Sequence, residues 1–368
     1  MVDLGAKGAG ERFDPITLEI FWSRLISIAD ESATALLRTS FSTIVRESND
    51  FGTVLMDANG DSLSENTGGI PSFAGILPIT LKHFLAKFPQ ETWKPGDCVI
   101  TNDPWLATGH LPDITMVMPV FWNGQLVGFS GSIAHSPDIG GSLWSADCRE
   151  LFEEGLCIPP LKFLKEGELN KDVEEMIVCN VRLPEQVLGD LNAQVTANQV
   201  CGRRLIEFLE DSGLDDLSLL SESLLTRAET AMRNAIEEVP DGTYHASLDA
   251  DGFDEDETHI ECAVTVKGSN IEIDYKGTSK QINRGLNTVM NYTHAYSAYP
   301  IKCALDPLTP RNEGSYRPIS VVAPEGSILN PTRPAPCNAR QLTGHMLAGV
   351  IYAALAQAVP SKVIADSG

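Results

Sequence analysis

The sequence predicts an α+β fold with mixed helical and β-rich regions, not a regular doubly wound sheet. Three observations carry this. Helical spacing and strand-like alternation occupy separate blocks, in the order helix, sheet, helix, sheet, helix, whereas a doubly wound sheet alternates them unit by unit. No G-x-G-x-x-G or G-x-x-x-x-G-K-[ST] phosphate loop is present. Hairpin signals punctuate the β-rich blocks at Asn59-Gly60, Asn123-Gly124 and Gly268-Ser269-Asn270. The blocks divide the chain into 1–97 (helical and hairpin), 98–170 (β-rich), 171–240 (helical) and 241–368 (α+β). No internal repeat is apparent.

Asp14-Pro15 opens the first helix, with Asp as N-cap and Pro at the first helical position. Leu18, Phe21, Trp22, Leu25, Ile28, Ala29 and Leu36 then recur at helical spacing to about Arg38. The run FGTVLMDANGDSL reads as a hairpin, and 72–89 as helix. From Cys98 to Gly141, the runs CVITND, DITMVMPVFW and QLVGFSGSIAH are short and β-rich, separated by Asp-Pro, Asn-Gly and Gly-Gly. Residues 171–238 are helical with an acidic, solvated face. Residues 242–276 return to alternation, and the acidic run at 251–257 reads as a solvated turn rather than an EF-hand loop. The remainder mixes helix with the Pro-rich segment PEGSILNPTRPAPCNAR. Within it, Met346–Val359 is an apolar tract of buried-helix length.

At 368 residues the chain is long enough for about two to three domains. Its 43% apolar content argues against disorder. A net charge of −23 disfavours nucleic acid and anionic membrane surfaces as partners. The first fifteen residues lack an apolar h-region, so no secretory signal is expected. Eight cysteines without a CxxC pair read as reduced thiols of a cytoplasmic protein.

Two of the seven histidines stand in unusual company. They lie in Gly109-His110-Leu111-Pro112-Asp113 and Ala134-His135-Ser136-Pro137-Asp138. Two imidazoles and a carboxylate suit a divalent Zn, Mn or Fe ion, which can acidify bound water or polarise a carbonyl. On spacing alone, hydrogen-bonded loop histidines and turn-forming aspartates account for the pattern better. No G-x-S-x-G nucleophile elbow is present. Cys148 and Cys157 are candidate nucleophiles, with buried structural thiols the simpler account. Any ATP used must bind through another motif or on another chain.

Ordered motifs now run along nearly the whole chain. They begin at Asp14-Pro15 and continue through Arg46-Glu47-Ser48-Asn49-Asp50-Phe51, Asn102-Asp103-Pro104, His110 to Ile114, and His135 to Gly141. Glu153-Glu154-Gly155-Leu156, Ile158-Pro159-Pro160, Gly189-Asp190-Leu191-Asn192-Ala193-Gln194, Asn287, Asn312-Glu313-Gly314 and Ala323-Pro324-Glu325-Gly326 follow. Together they resemble the hydantoinase B/oxoprolinase family, so the resemblance implies a hydantoinase B-like fold. It implies a divalent metal held by His110, Asp113, His135 and Asp50, with the first three as catalytic residues. Asp138 is then a candidate for orienting a ligand histidine, and Asp103 for shaping the Asn-Asp-Pro turn or touching substrate. Arg46 and Arg340 become candidate phosphate clamps, against a surface ion pair as the simpler role. No chemistry attaches to Asn287 or Asn312.

The resemblance further implies that ATP is held by a hydantoinase A-type partner, which phosphorylates the substrate's carbonyl oxygen. This chain then completes C–N hydrolysis of a cyclic amide (a hydantoin, oxoproline or lactam) at its metal. The alternatives are a subunit of an ATP-dependent ketone carboxylase of the acetone or acetophenone type, or a non-catalytic assembly subunit. Two departures bear on the choice. Gly69-Ile70-Pro71-Ser72-Phe73-Ala74-Gly75 stands where hydantoinase-type members carry H-I-P-x-H-x-G, and Ser136 follows His135 where a second His is common. The chain also ends at Gly368, short of the family's usual length, which suggests a fragment, a split gene product or a shortened member with apolar surface left for a partner.

Overall fold

Asp14 caps the first helix through its side chain, which accepts hydrogen bonds from the Ile16 and Thr17 N–H groups. The computed structural model describes residues 13–364, apart from 74, 144, 254 and 255. The leader reading of residues 1–12 and the tip of the acidic turn at 254–255 lie outside them.

Helix α1 (Pro15–Thr39) is followed by the short α2 (Thr43–Ser48), which Ser42 caps and Asn49 ends in a left-handed conformation. Strands β1 (Phe51–Asp57) and β2 (Ser62–Glu65) form the expected first hairpin. Pro71–Phe73 makes a 3-10 turn, so α3 (Ile76–Lys87) starts later than the spacing predicts. Next come β3 (Cys98–Thr101), β4 (Asp113–Trp122), β5 (Gln125–His135), β6 (Leu161–Lys165) and β7 (Glu168–Leu169). The helical block comprises α4 (Lys171–Val178), α5 (Pro184–Ser212) and α6 (Ser218–Glu237). The last block holds β8 (Gly242–Phe253), β9 (Asp256–Lys267), β10 (Asn270–Asp274), α7 (Met290–Leu305), α8 (Glu313–Tyr316), β11 (Ile319–Val322) and α9 (Arg340–Leu355).

The architecture is α+β, with mixed helices and sheets. A seven-stranded antiparallel sheet runs β2-β1-β5-β4-β3-β6-β7. A four-stranded sheet runs β11-β10-β9-β8, with β10 and β11 parallel. The larger sheet is buried on both faces, because its alternate residues meet different helices. Leu55, Leu63, Val120 and Val127 pack with α1, α5 and α6. Val54, Met56, Val117, Phe129 and Ile133 pack with α3. Trp22 shows the local economy: it is 1% exposed, and its indole N–H donates to the Leu63 carbonyl at 3.2 Å. Burying a large apolar side chain contributes about 1.5–3 kcal/mol, and the indole donor is not left unpaired. A second core joins α6, α7 and α9 to the smaller sheet. Among the described residues, no helix is long and apolar enough to cross a membrane.

One register detail positions everything that follows. The β4–β5 hairpin turns at Asn123-Gly124, pairing Trp122 with Gln125 and Phe121 with Leu126. Val120 then pairs with Gly128, so Val127 is an extra residue on β5. From there Asp113 falls opposite His135. Without the bulge Asp113 would meet Ala134, and His135 would point to the other face.

Candidate metal centre

Three adjacent strands deliver the site. Strand β5 is antiparallel to both β1 and β4, so its end lies beside both of their beginnings. His135 ends β5, Asp113 begins β4, and Asp50 immediately precedes β1. The His135 N–H donates to the Asp50 carbonyl at 3.0 Å, fixing this junction. His110 reaches the same point from the loop between β3 and β4. Gly109 has φ +96°, and a Cβ there would lie 2.9 Å from Arg340 Cδ, so only glycine fits the approach.

The donor atoms of His110, Asp113 and His135 all lie within 4.8 Å of one another. His110 Nε2 is 3.0 Å from Asp113 Oδ1, and His135 Nδ1 is 2.9 Å from that same oxygen. Asp50 Oδ2 stands 3.5 Å from His135 Nδ1. His110, Asp113 and His135 are buried, and Asp50 is half-buried. The structure thus brings together three of the four residues that the resemblance names as ligands, with Asp50 beside His135 on the wall of the same cavity.

His110 Nδ1 lies 3.2 Å from the Asn338 carbonyl. A carbonyl can only accept, and so can the ionised Asp113 carboxylate that Nε2 faces at 3.0 Å. Burial, then the nearby Arg340 charge, pushes His110 down to about 4, against the pull of Asp113. The neutral ring has one proton for two acceptors, so one contact is left between acceptors, which repel; with the proton on Nδ1 it is the contact of Nε2 with the Asp113 oxygen. A cation shared by both would turn the repulsion into attraction, so the residues fit a divalent ion with N and O ligands. Burial opposes the charge on Asp113, yet the Arg340 guanidinium and the hydrogen bond with His135 hold its carboxyl well below the usual range. Burial and the Asp113 charge raise Asp50 to about 6.

The donors open onto a cavity of about 180 Å3, walled also by Ile70, Tyr292, Tyr296, Gln341 and His345. The two tyrosine rings stack at 4.6 Å. Arg340 lies 4.0 Å from the Tyr292 ring centroid and donates to the Thr108 carbonyl (2.7 Å) and Asp113 Oδ2 (2.6 Å). It is a buried partner of Asp113, whereas Arg46 is exposed on α2. Asp103 pairs with Arg333 and accepts from the Trp105 N–H, holding the Asn-Asp-Pro turn. Asp138 is engaged by Gly140, Arg182 and Leu183, where the chain enters α5. Asn287 ties its loop to Ile282, Arg284 and Pro336, and Asn312 caps α8. Burial raises the thiols of Cys148 and Cys157, the opposite of an activated nucleophile. Ile70 lines the cavity, while Phe73 packs on Gly52. Sequence reasoning did not single out Asn338, Tyr292, Tyr296, Gln341 or His345. They carry no local signal beyond the Pro-rich run before Asn338.

Comparisons with known proteins bear on the family and the fold. A family model described as Hydantoinase B/oxoprolinase matches residues 14–368. A Pseudomonas sp. (strain NS671) protein assigned as the B-type component of a D-/L-hydantoinase is 35% identical, over 97% of this chain and 64% of that protein. The crystal structure of ATP-dependent caprolactamase from Pseudomonas jessenii gives a TM-score of 0.90 at 29% identity, covering 96% of this chain and 62% of that one. A nucleotide-free acetone carboxylase structure shares the fold, with a TM-score of 0.85 at 19% identity over 94% of this chain and 48% of the other. The chain spans less than two thirds of the length of each of these proteins.

Proposed function

The chain belongs to the hydantoinase B/oxoprolinase family, and we propose that it is the metal-dependent subunit of an ATP-coupled cyclic amide hydrolase. The observation that carries this reading is the facing pair of acceptors, His110 Nε2 and Asp113 Oδ1, with His135 and Asp50 beside them. These four residues would hold a Zn, Mn or Fe ion. The ion would supply Lewis acidity toward the amide carbonyl.

The chain's own groups orient the substrate. Arg340 keeps Asp113 ionised. Tyr292 and Tyr296 wall off water from one side of a small ring. Gln341 Oε1 is buried without a partner at the cavity wall and suits the ring N–H of a hydantoin, oxoproline or lactam. An amide carbon is a poor electrophile, and phosphorylation of its oxygen creates a better leaving group. With no phosphate loop in this chain, that step is assigned to a hydantoinase A-type partner that binds ATP. The proposed setting is the cytoplasm, where ATP and reduced cysteines coexist.

A second reading, a ketone carboxylase subunit, is favoured by the 69–75 segment. It places Ile70 on the cavity wall and offers no imidazole from either of its substituted positions.

Metal analysis of the purified protein tests the core of the proposal. About one equivalent of divalent transition metal is expected in the parent, and none in a His110→Ala, His135→Ala variant. With an A-type partner and ATP, turnover of hydantoins or lactams supports the hydrolase. Turnover only of a ketone with bicarbonate supports the carboxylase. No uptake after reconstitution with Zn, Mn and Fe overturns both and leaves the assembly role.

A further inference from the structure

Glu154 is a buried carboxylate that the proposed chemistry does not use; it is 1% exposed. Oε1 accepts two consecutive backbone donors, Cys337 N–H at 2.6 Å and Asn338 N–H at 2.8 Å. Oε2 is buried without a partner. A carboxylate in such surroundings is costly unless donors surround it, so its presence there calls for a role.

The strap that it grips is the one that touches the metal centre. Asn338 turns its carbonyl to His110 Nδ1 at 3.2 Å. Its side-chain amide donates to the Ser142 carbonyl at 2.7 Å, and the Ser142 N–H donates to the Glu153 carbonyl at 2.9 Å. The segments around 142 and 154 therefore hold Asn338 from two sides. The anchor itself cannot drift, because Gly141 packs so closely that a Cβ there would sit 2.4 Å from the Glu154 carbonyl carbon. Two residues beyond Asn338, Arg340 reaches Thr108 and Asp113.

The consequence concerns a proton. The Asn338 carbonyl favours the tautomer of His110 with hydrogen on Nδ1, which leaves Nε2 bare, against the Asp113 carboxylate, which favours the reverse. If the peptide after Asn338 rotated, the ring could place its proton on Nε2 and close the lone pair that faces Asp113. We propose that Glu154 is a positioning residue for His110: by gripping the Cys337 and Asn338 N–H groups it holds the Asn338 carbonyl on Nδ1, and so dictates that Nε2 faces the cation. The cation rests on the metal reading above, whereas the tautomer is tested without it.

Nitrogen-15 NMR of histidine-labelled, metal-free protein reads the tautomer directly, with His110 assigned by its loss in His110→Asn. The parent is expected to show protonated Nδ1 and bare Nε2. Glu154→Gln keeps an oxygen able to accept both N–H groups, so it retains the tautomer and holds Co2+ affinity within about threefold. Glu154→Ala is expected to mix the tautomers, weaken Co2+ binding by about tenfold or more, and shift the Co2+ absorption band. If Glu154→Ala does not fold by circular dichroism, Glu154→Asp replaces it; the shorter arm is expected to act in the same direction. Parent His110 protonated on Nε2, or a folded alanine (or aspartate) variant with unchanged tautomer and affinity, overturns the proposal. A Glu154-dependent tautomer in a parent that takes up no Co2+ upholds the positioning role and removes the metal. Co2+ uptake with a Glu154-independent tautomer does the reverse.

Discussion

Asp113 and His135 meet as cross-strand partners, Oδ1 to Nδ1 at 2.9 Å, because Val127 is one residue too many on β5. Deleting Val127 would close the bulge and leave Asp113 opposite His135, whereas inserting one alanine between Val127 and Gly128 would shift the pairing by one and set Asp113 against Ala134. Metal uptake is expected to vanish in the insertion and to survive the deletion. Val127→Ala keeps the bulge, costs about 2 kcal/mol of packing, and is expected to keep the metal. Metal analysis beside calorimetry separates these outcomes, and an insertion variant that still binds metal would refute the register argument.

Arg340 and Asp113 are both buried, with Nη2 2.6 Å from Oδ2. Arg340→Met leaves that carboxylate without its cation. The metal-free protein is expected to lose about 3–5 kcal/mol, and added metal to recover part of the loss by replacing the charge. Thermal unfolding with and without Zn2+ measures this. Equal losses under both conditions would contradict it.

Burial raises the Glu154 carboxyl from 4.5 to about 7, against the pull of its two backbone donors. The folded state thus binds this proton more tightly than the unfolded chain. Stability from this group is present at low pH and falls as pH rises from about 4.5 to about 7. Glu154→Gln cannot ionise and removes the slope. Relative to the parent, the variant should gain on the order of 3 kcal/mol between about pH 4 and about pH 8. Urea unfolding at the two pH values reads the difference, and a pH-independent gap would rule it out.

Asp190 on α5 accepts the Phe41 and Ser42 N–H groups at 2.7 and 3.1 Å, just before α2 leads to Asp50. Asp190→Ala should cost about 1–2 kcal/mol. Amides of residues 43–50 should exchange with deuterium faster, while those of β4 stay protected. Uniform loss of protection would show a general destabilisation instead.

What the sequence discloses follows the range of the forces involved. Helix α1 with its Asp14 cap and the hairpins at Asn59-Gly60 and Asn123-Gly124 rest on neighbours in the chain, and all were legible. Strands β6 and β7 are too short to show alternation, and α7 carries Pro300 inside it, so their bounds were not. The residue types at 110, 113 and 135 allowed metal chemistry, while their spacing alone favoured loop roles and only the family resemblance tipped the reading. Their convergence depends on the Val127 bulge, and that of Asp50 on β1 lying beside β5; neither leaves a periodic trace. Arg340 invites reading as a phosphate ligand until its contact with Asp113, 227 residues away, is seen.

The strand order also sets a timetable for assembly. Strands β4 and β5 close over a tight turn, so Asp113 and His135 meet soon after they are synthesised. Asp50 joins only when β1 docks on β5 across the intervening α3, β3 and β4. The strap with Asn338 and Arg340 arrives only after the strands of both sheets have emerged. A cation at the proposed site would therefore meet a partial set of donors first and the complete set last, with its hold growing as folding proceeds.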